Sequence, residues 1–274
     1  MLFAFFLAGL YGTVNQPVVN MYSAPTADSD VVSQVIYGVR VDYLESKGEW
    51  VKIRSGDTYS GWVEHSRMKV KADYAYGEKT AWVSSLFANV YREASVTKHQ
   101  PMLMLPFESK LEVISEPETN NRRWLQVRLV DDRSGWVQRG DLSFTEEKLS
   151  VEQVIALSRR FLGLPYTWGG TSSFGYDCSG FTQMLCRRQG VILPRDADQQ
   201  AEWEGVSSVE RTKLAAGDLL FFGSNPQKIT HTGFYIGDDQ FIHATVNQQP
   251  VIQISRLTDQ PWTRLFVGAR RPSK

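Results

Sequence analysis

The sequence predicts an α+β protein in which two small antiparallel β-barrels precede a domain that sets a cysteine-bearing helix on an antiparallel sheet. Three observations predict it. A unit of ~70 residues occurs twice over roughly residues 14–145, and apolar and polar residues alternate along both copies. Beyond residue 146 the apolar spacing becomes helical before short strands return.

At 274 residues the chain has room for two to three domains of ordinary size. A content of 42% hydrophobic and 22% charged residues belongs to a folded globular protein and excludes collagen-like and wholly disordered chains. Thirty Lys and Arg balance thirty Asp and Glu. A net charge of zero lacks the basic footprint of a nucleic-acid or anionic-membrane binder, so no nucleic-acid partner is expected. The two cysteines, Cys178 and Cys186, cannot staple a chain of this size and form no pair of CxxC half-sites, so neither a disulfide framework nor a structural metal is expected.

The apolar run Leu2 to Leu10 is nine residues, well short of the ~20 that span a bilayer, so no transmembrane segment is expected. Residues 1–13 resemble a truncated secretory signal peptide, with Ala8-Gly9 near a cleavage point but no Lys or Arg ahead of the run. That reading places the protein in the cell envelope, periplasmic or secreted; a first strand or helix packed on the body, in a cytoplasmic protein, is the alternative.

The repeat is carried by its tryptophans. Trp50-Val51-Lys52-Ile53-Arg54 precedes Ser60-Gly61-Trp62-Val63, and Trp124-Leu125-Gln126-Val127-Arg128 precedes Ser134-Gly135-Trp136-Val137, the two tryptophans being twelve apart in each copy. Upstream, Asn20-Met21-Tyr22 matches Asn89-Val90-Tyr91. Short alternating runs such as Val39-x-Val41-x-Tyr43, broken by Gly, Asp and Ser, predict small barrels over 14–75 and 80–145. Trp62 and Trp136 are expected to fill their interiors. The arrangement resembles the bacterial SH3-like domain, with its N-x-Y, W-x-x-[VI] and G-W-V signature, and this resemblance implies modules that position cell-wall ligands or shape a neighbouring active site.

A new domain is expected over 148–274. Val151, Val154, Ile155, Leu157, Ser158 and Phe161 predict a helix ending near Gly163 and Pro165. A second helix follows a glycine-rich loop: Asp177 is an N-cap residue type, Phe181, Met184 and Leu185 recur at helical spacing, and Gly190 ends the run. Cys178 then sits in the first turn, where the helix dipole and free N–H groups are expected to lower its pKa and make it a nucleophile. Cys186, eight residues on, is expected in the core.

Four strands are expected near Gly217–Phe222, His231–Gly237, Phe241–Val246 and Leu265–Ala269, the middle pair joined through Gly237-Asp238-Asp239. His231 and His243 are twelve apart, so an odd-length loop brings them opposite each other on one face, whereas a two-residue turn does not. One imidazole would then serve Cys178 as base and the other would orient it.

The segments Pro165-Tyr166-Thr167-Trp168-Gly169-Gly170, Asp177-Cys178-Ser179-Gly180-Phe181, Pro194-Arg195-Asp196-Ala197, Gly217-Asp218-Leu219-Leu220-Phe221-Phe222, His231-Thr232-Gly233-Phe234-Tyr235-Ile236-Gly237 and Phe241-Ile242-His243-Ala244 resemble, in order, the NlpC/p60 family of papain-like cell-wall cysteine peptidases. With the SH3-like modules ahead, the chain is similar to γ-D-glutamyl-L-diamino acid endopeptidases. The resemblance implies a papain-like fold with Cys178 as nucleophile, His231 as base and His243 as third, orienting residue. It implies Tyr166 beside the oxyanion, and Asp177, Ser179, Arg195 and Asp196 as contacts to the L-alanine ammonium and the D-glutamate carboxylate of the substrate. It also implies one acidic contact from an SH3-like module, for which Glu64 is the candidate.

The implied activity is hydrolysis of the γ-D-glutamyl to diamino acid bond (diaminopimelate or L-Lys) in murein stem peptides with a free N-terminal L-Ala. No cofactor or metal is required, and a monomer acting on muropeptides is expected. The alternatives are an N-acetylmuramoyl-L-alanine amidase or other peptidoglycan hydrolase, and a non-catalytic cell-wall binding protein.

Overall fold

A computed structural model describes residues 9–71, 74–75, 79–116 and 122–273. The chain divides into two compact units, Met1–Glu146 and Glu147–Lys274.

Strands in the first unit begin with β1 (Tyr11–Val14), β2 (Val18–Tyr22), β3 (Val31–Ile36), β4 (Arg40–Lys47), β5 (Trp50–Arg54), β6 (Ser60–Glu64) and β7 (Met68–Val70). They form one antiparallel sheet in the order β3-β2-β6-β5-β4-β1-β7. Of the leader-like stretch, residues 1–8 lie outside the described residues, and Tyr11–Val14 forms a strand paired with β4 and β7. The second copy comprises β8 (Thr80–Val83), β9 (Phe87–Val90), β10 (Leu103–Pro106), β11 (Lys110–Ser115), β12 (Trp124–Arg128), β13 (Ser134–Gln138) and β14 (Leu142–Ser143). Its sheet runs β13-β12-β11-β8-β14, with β9 and β10 as a separate ribbon.

Both copies solve the same packing problem. Tyr22 meets Trp50 edge-on at 5.5 Å, and Tyr91 meets Trp124 edge-on at the same 5.5 Å. The glycine of each Gly-Trp-Val strand lies against the Asn-x-Tyr strand: a Cβ on Gly61 would stand 2.9 Å from Met21 Cβ, and one on Gly135 would stand 2.4 Å from Val90 Cγ1. That close approach is the physical reason the two motifs occur together. Trp62 is buried as expected, whereas Trp136 is only half-buried. The two barrels are tied through Tyr37 and Tyr74. Both join the core of the second copy; the Tyr37 hydroxyl accepts from the Val130 N–H at 2.7 Å, and the Tyr74 hydroxyl donates to the Arg128 carbonyl at 2.8 Å.

The second unit opens with α1 (Val151–Arg159), capped reciprocally by Ser150 and Gln153. The expected helix extended to Phe161; instead Phe161 donates to the Ser158 carbonyl, a tightened last turn. Next come β15 (Thr171–Ser172), β16 (Gly175–Tyr176), α2 (Cys178–Arg188), α3 (Ala197–Glu202), β17 (Val206–Val209), β18 (Leu219–Asn225), β19 (Lys228–Gly237), β20 (Gln240–Thr245), β21 (Val251–Arg256), α4 (Trp262–Leu265) and β22 (Phe266–Pro272). The main sheet has six antiparallel strands in the order β17-β22-β18-β19-β20-β21, and α2 packs on β19 and β20. Several segments escape the sequence reading, among them β17, β21, α3 and α4. β17 is short and exposed, β21 lies in a Gln-rich stretch, and α3 is a short helix outside the pattern.

Candidate active site

Asp177 adopts extended backbone and its carboxylate accepts from the Gly180 N–H at 2.7 Å, so the helix begins at Cys178. Gly180 and the Gly169-Gly170 loop explain each other. A Cβ on Gly180 would come 2.2 Å from the Gly170 carbonyl oxygen, and one on Gly170 would come 2.3 Å from that of Gly175. The nucleophile-bearing helix end is thus seated directly on loop backbone.

Cys178 is 8% exposed, and the backbone N–H groups of Thr232 and Ser179 are directed at its sulfur. The thiol pKa is raised, not lowered as the helix position predicts. Burial pushes the thiol up to about 12, the charge of Asp177 adds to the rise, and the two N–H groups and Arg195 only partly offset it. Cys186, wholly buried in the same helix, is raised to about 12 by burial alone.

The two histidines come together by a different route from the one expected. Asp238 and Asp239, at φ 52° and 58°, form a two-residue left-handed turn between Gly237 and Gln240. Alone it would place the histidines on opposite faces. A bulge at Ile236 shifts the register, so that Tyr235 pairs with Phe241 and Phe234 with Ile242. Continuing that register puts Gly233, not His231, across from His243, and a Cβ on Gly233 would indeed lie 3.3 Å from His243 Cβ. His231 and His243 therefore meet diagonally on one face, with His231 Nε2 2.7 Å from His243 Nδ1.

His243 is fully buried, and its Nε2 lies 3.0 Å from Ser255 Oγ. Trp262 stacks on His231 at 5.2 Å and meets His243 edge-on at 4.7 Å, while Phe241 closes the other side. Burial lowers the His231 pKa to about 3, although one edge of the residue stays exposed, and burial followed by His231 lowers that of His243. Ser255 and Trp262 were missed from sequence. The alternation Ile252-x-Ile254 against Gln253-x-Ser255 is the one signal that points to Ser255; Trp262 has none.

Asp177, Ser179 and Arg195 form one buried network. Arg195 is 1% exposed and donates to Asp177 at 3.1 and 2.5 Å and to Ser179 Oγ at 2.9 Å. Burial opposes the charge on Arg195 and Asp177 outweighs it. The sequence reading gave these two groups separate substrate charges; in the structure they face each other. Asp196, half-buried, is the N-cap residue of α3 and accepts from Gln199 at 3.3 Å. Half-buried Tyr166 lies close enough to Cys178 and Asp177 that their negative charge, after burial, raises its hydroxyl pKa. In the other unit Glu64 ends β6 and pairs with Arg67 at 3.0 Å. Among the described residues there is no cluster of His, Cys, Asp and Glu able to hold a metal, and no helix long and apolar enough to cross a membrane.

Comparison with known proteins agrees with this arrangement. Residues 163–271 match the NlpC/P60 family, residues 17–69 the bacterial SH3 domain and residues 70–143 the GW (Gly-Tryp) dipeptide domain. The chain is 30% identical over 256 residues to a gamma-D-glutamyl-L-lysine dipeptidyl-peptidase of Bacillus cereus, covering 87% of this chain and 74% of that one. Its 28% identity to the Bacillus subtilis protein of that name covers 89% and 82%. The crystal structure of an NlpC/P60 family protein from Bacillus cereus shares the fold, with a TM-score of 0.83 at 24% identity over 96% of this chain and 100% of that one. A cysteine at a helix start, a histidine pair on the adjoining strands and these matches together mean that the chain belongs to the NlpC/P60 family, as a cysteine peptidase preceded by SH3-like modules.

Proposed function

We propose that the protein is a bacterial cell-wall endopeptidase that hydrolyses the bond between D-glutamate and the diamino acid of murein stem peptides bearing a free N-terminal L-Ala, acting in the cell envelope. The assignment of residues 14–75 and 80–145 to SH3-like modules and 148–274 to the catalytic domain belongs to this proposal. The observation that carries it is the 2.7 Å contact between His231 Nε2 and His243 Nδ1, which leaves His231 Nδ1 unengaged by the pair on a strand that packs against the helix beginning at Cys178. The bond specificity is taken from the Bacillus relatives, whose name specifies a γ-D-glutamyl-L-lysine linkage.

With the thiol raised and the imidazole lowered, the resting pair is neutral. The Sγ proton passes to His231 Nδ1 as sulfur attacks the γ-glutamyl carbonyl carbon. Negative charge on that oxygen is met by the Cys178 N–H, the first of α2, supported by the Tyr166 hydroxyl. His231 then protonates the departing amine of the diamino acid, leaving a thioester. Water attacks the thioester, gives its proton to His231, and sulfur leaves to recover that proton. His243 holds the base. Asp196 is the carboxylate we assign to the substrate ammonium, and the Ser179 hydroxyl and Arg195 to the D-glutamate, with Asp177 holding Arg195 in place.

Purified protein and Cys178→Ala are compared on L-Ala-γ-D-Glu-L-Lys and on intact sacculi, with products read by mass spectrometry. Release of L-Ala-D-Glu and free lysine from the tripeptide, lost in the variant, is expected. Release of whole stem peptides from glycan, or turnover that survives Cys178→Ala, overturns the assignment.

A further inference from the structure

We infer that Ser255 is a positioning residue that fixes the tautomer of His243; the inference rests on the roles just given to Cys178 and His231. Strands β19, β20 and β21 are neighbours in the sheet. His243 lies across from Gln253, and Ser255 across from Phe241. His231, His243 and Ser255 therefore share one face, each a strand further over and one diagonal step along. Their side chains are linked in series, 2.7 Å from His231 Nε2 to His243 Nδ1 and 3.0 Å from His243 Nε2 to Ser255 Oγ.

A neutral imidazole carries one proton on one of two nitrogens. For His231 to accept the thiol proton at Nδ1, its own proton must sit on Nε2, directed at His243 Nδ1. That nitrogen must then be bare, which puts the His243 proton on Nε2. Enclosed by Phe241 and Trp262, an Nε2–H without an acceptor carries a desolvation penalty, and the Ser255 oxygen removes it. Ser255 is half-buried, so its own hydroxyl proton can turn to solvent.

The same proton arrangement serves both states of the base. When His231 becomes imidazolium, no proton beyond it has to move. A histidine in the third place is ambiguous in a way that a carboxylate is not, because either nitrogen can be the donor. Without the Ser255 hydroxyl the His243 proton is better placed on Nδ1, donating to His231 Nε2. His231 then carries its proton on Nδ1 and offers the thiol a donor where a base is needed.

The test uses the full chain labelled with ¹⁵N-histidine. Long-range proton–nitrogen spectra are expected to find His243 protonated at Nε2 in the native protein and at Nδ1 in Ser255→Ala. On L-Ala-γ-D-Glu-L-Lys, Ser255→Ala should lower kcat roughly ten-fold with KM within about two-fold, and Ser255→Thr, which keeps a hydroxyl, should retain most of the native rate. Native His243 protonated at Nδ1, full turnover by Ser255→Ala, or Ser255→Thr as slow as Ser255→Ala each overturns the inference. If Ser255→Ala does not fold, the native spectrum and Ser255→Thr decide. If the native protein cleaves no γ-glutamyl peptide, the functional reading falls, while the spectra still support or overturn the tautomer.

Discussion

Among single residues, Asp177 has two duties that sequence reasoning separates and the structure joins: it caps the helix that begins at Cys178 and neutralises Arg195 in the interior. Asp177→Ala leaves a buried guanidinium without its partner, so denaturant unfolding should register a loss of about 3–5 kcal/mol. Ser179→Ala removes a buried hydroxyl that accepts from Arg195 at 2.9 Å and donates to Asp177 at 3.3 Å while leaving that ion pair intact, and should lose about 1.5–3 kcal/mol. His231 makes a second prediction at this scale. Its folded pKa, about 3, lies below its unfolded value near 6.5, so the unfolded chain binds the extra proton between those limits and stability falls as pH drops through that window. At pH 5 the His231 share of the loss relative to pH 7 should be about 2 kcal/mol, with His243, lowered in the same direction, adding to it, and melting curves of His231→Gln should decline less steeply over that range than those of the native chain. An identical decline in both would show that other groups set the acid limit. The residues that carry the proposed chemistry were legible because each has a local signature: Asp177 before a helix, Cys178 after it, two histidines in strand-like runs. The direction of the Cys178 pKa was not, because helix position is a property of sequence whereas desolvation is created by strands more than fifty residues away.

Among elements, the glycines that recur in the motifs act through close backbone approach. Gly135→Ala should destabilise by about 1–3 kcal/mol, since its Cβ would overlap Val90, while Gly140→Ala, with nothing nearby, should unfold like the native protein. Gly180→Ala lifts the start of α2 off Gly170, and its signature should be lost turnover exceeding the loss of stability. The repeat was readable from sequence because each tryptophan-containing strand copies the other's contacts, as the two edge-on Tyr–Trp pairs attest. Strands β17 and β21 were not readable: each draws its stability from pairing along the sheet, β17 with β22 and β21 with β20, more than from its own alternation.

For the whole molecule, balanced charge suits a zwitterionic peptide held by a few fixed groups better than a polyanion held by a field. Turnover should accordingly vary little between low and moderate salt. The proposed chemistry needs a thiol and no metal, so iodoacetamide should abolish activity in proportion to Cys178 alkylation, and prolonged chelation with EDTA should leave it intact. Activity lost to EDTA and restored by a divalent cation would contradict the mechanism. The division into two compact units at Glu146 was legible, because the strand-like period gives way there to a charged stretch and then to helical spacing.

The bulge at Ile236 has a consequence for how this chain tolerates changes of length. The two-residue turn and the unpaired residue together make an odd count, so the segment between Tyr235 and Phe241 can grow or shrink only in steps of two without reversing His243. Deleting Ile236 alone should give a protein that folds, since the sheet can re-pair with the tight turn retained, yet holds its imidazoles back to back across the strand. A library of single and double deletions there, scored separately for folding and turnover, should fall into alternating classes.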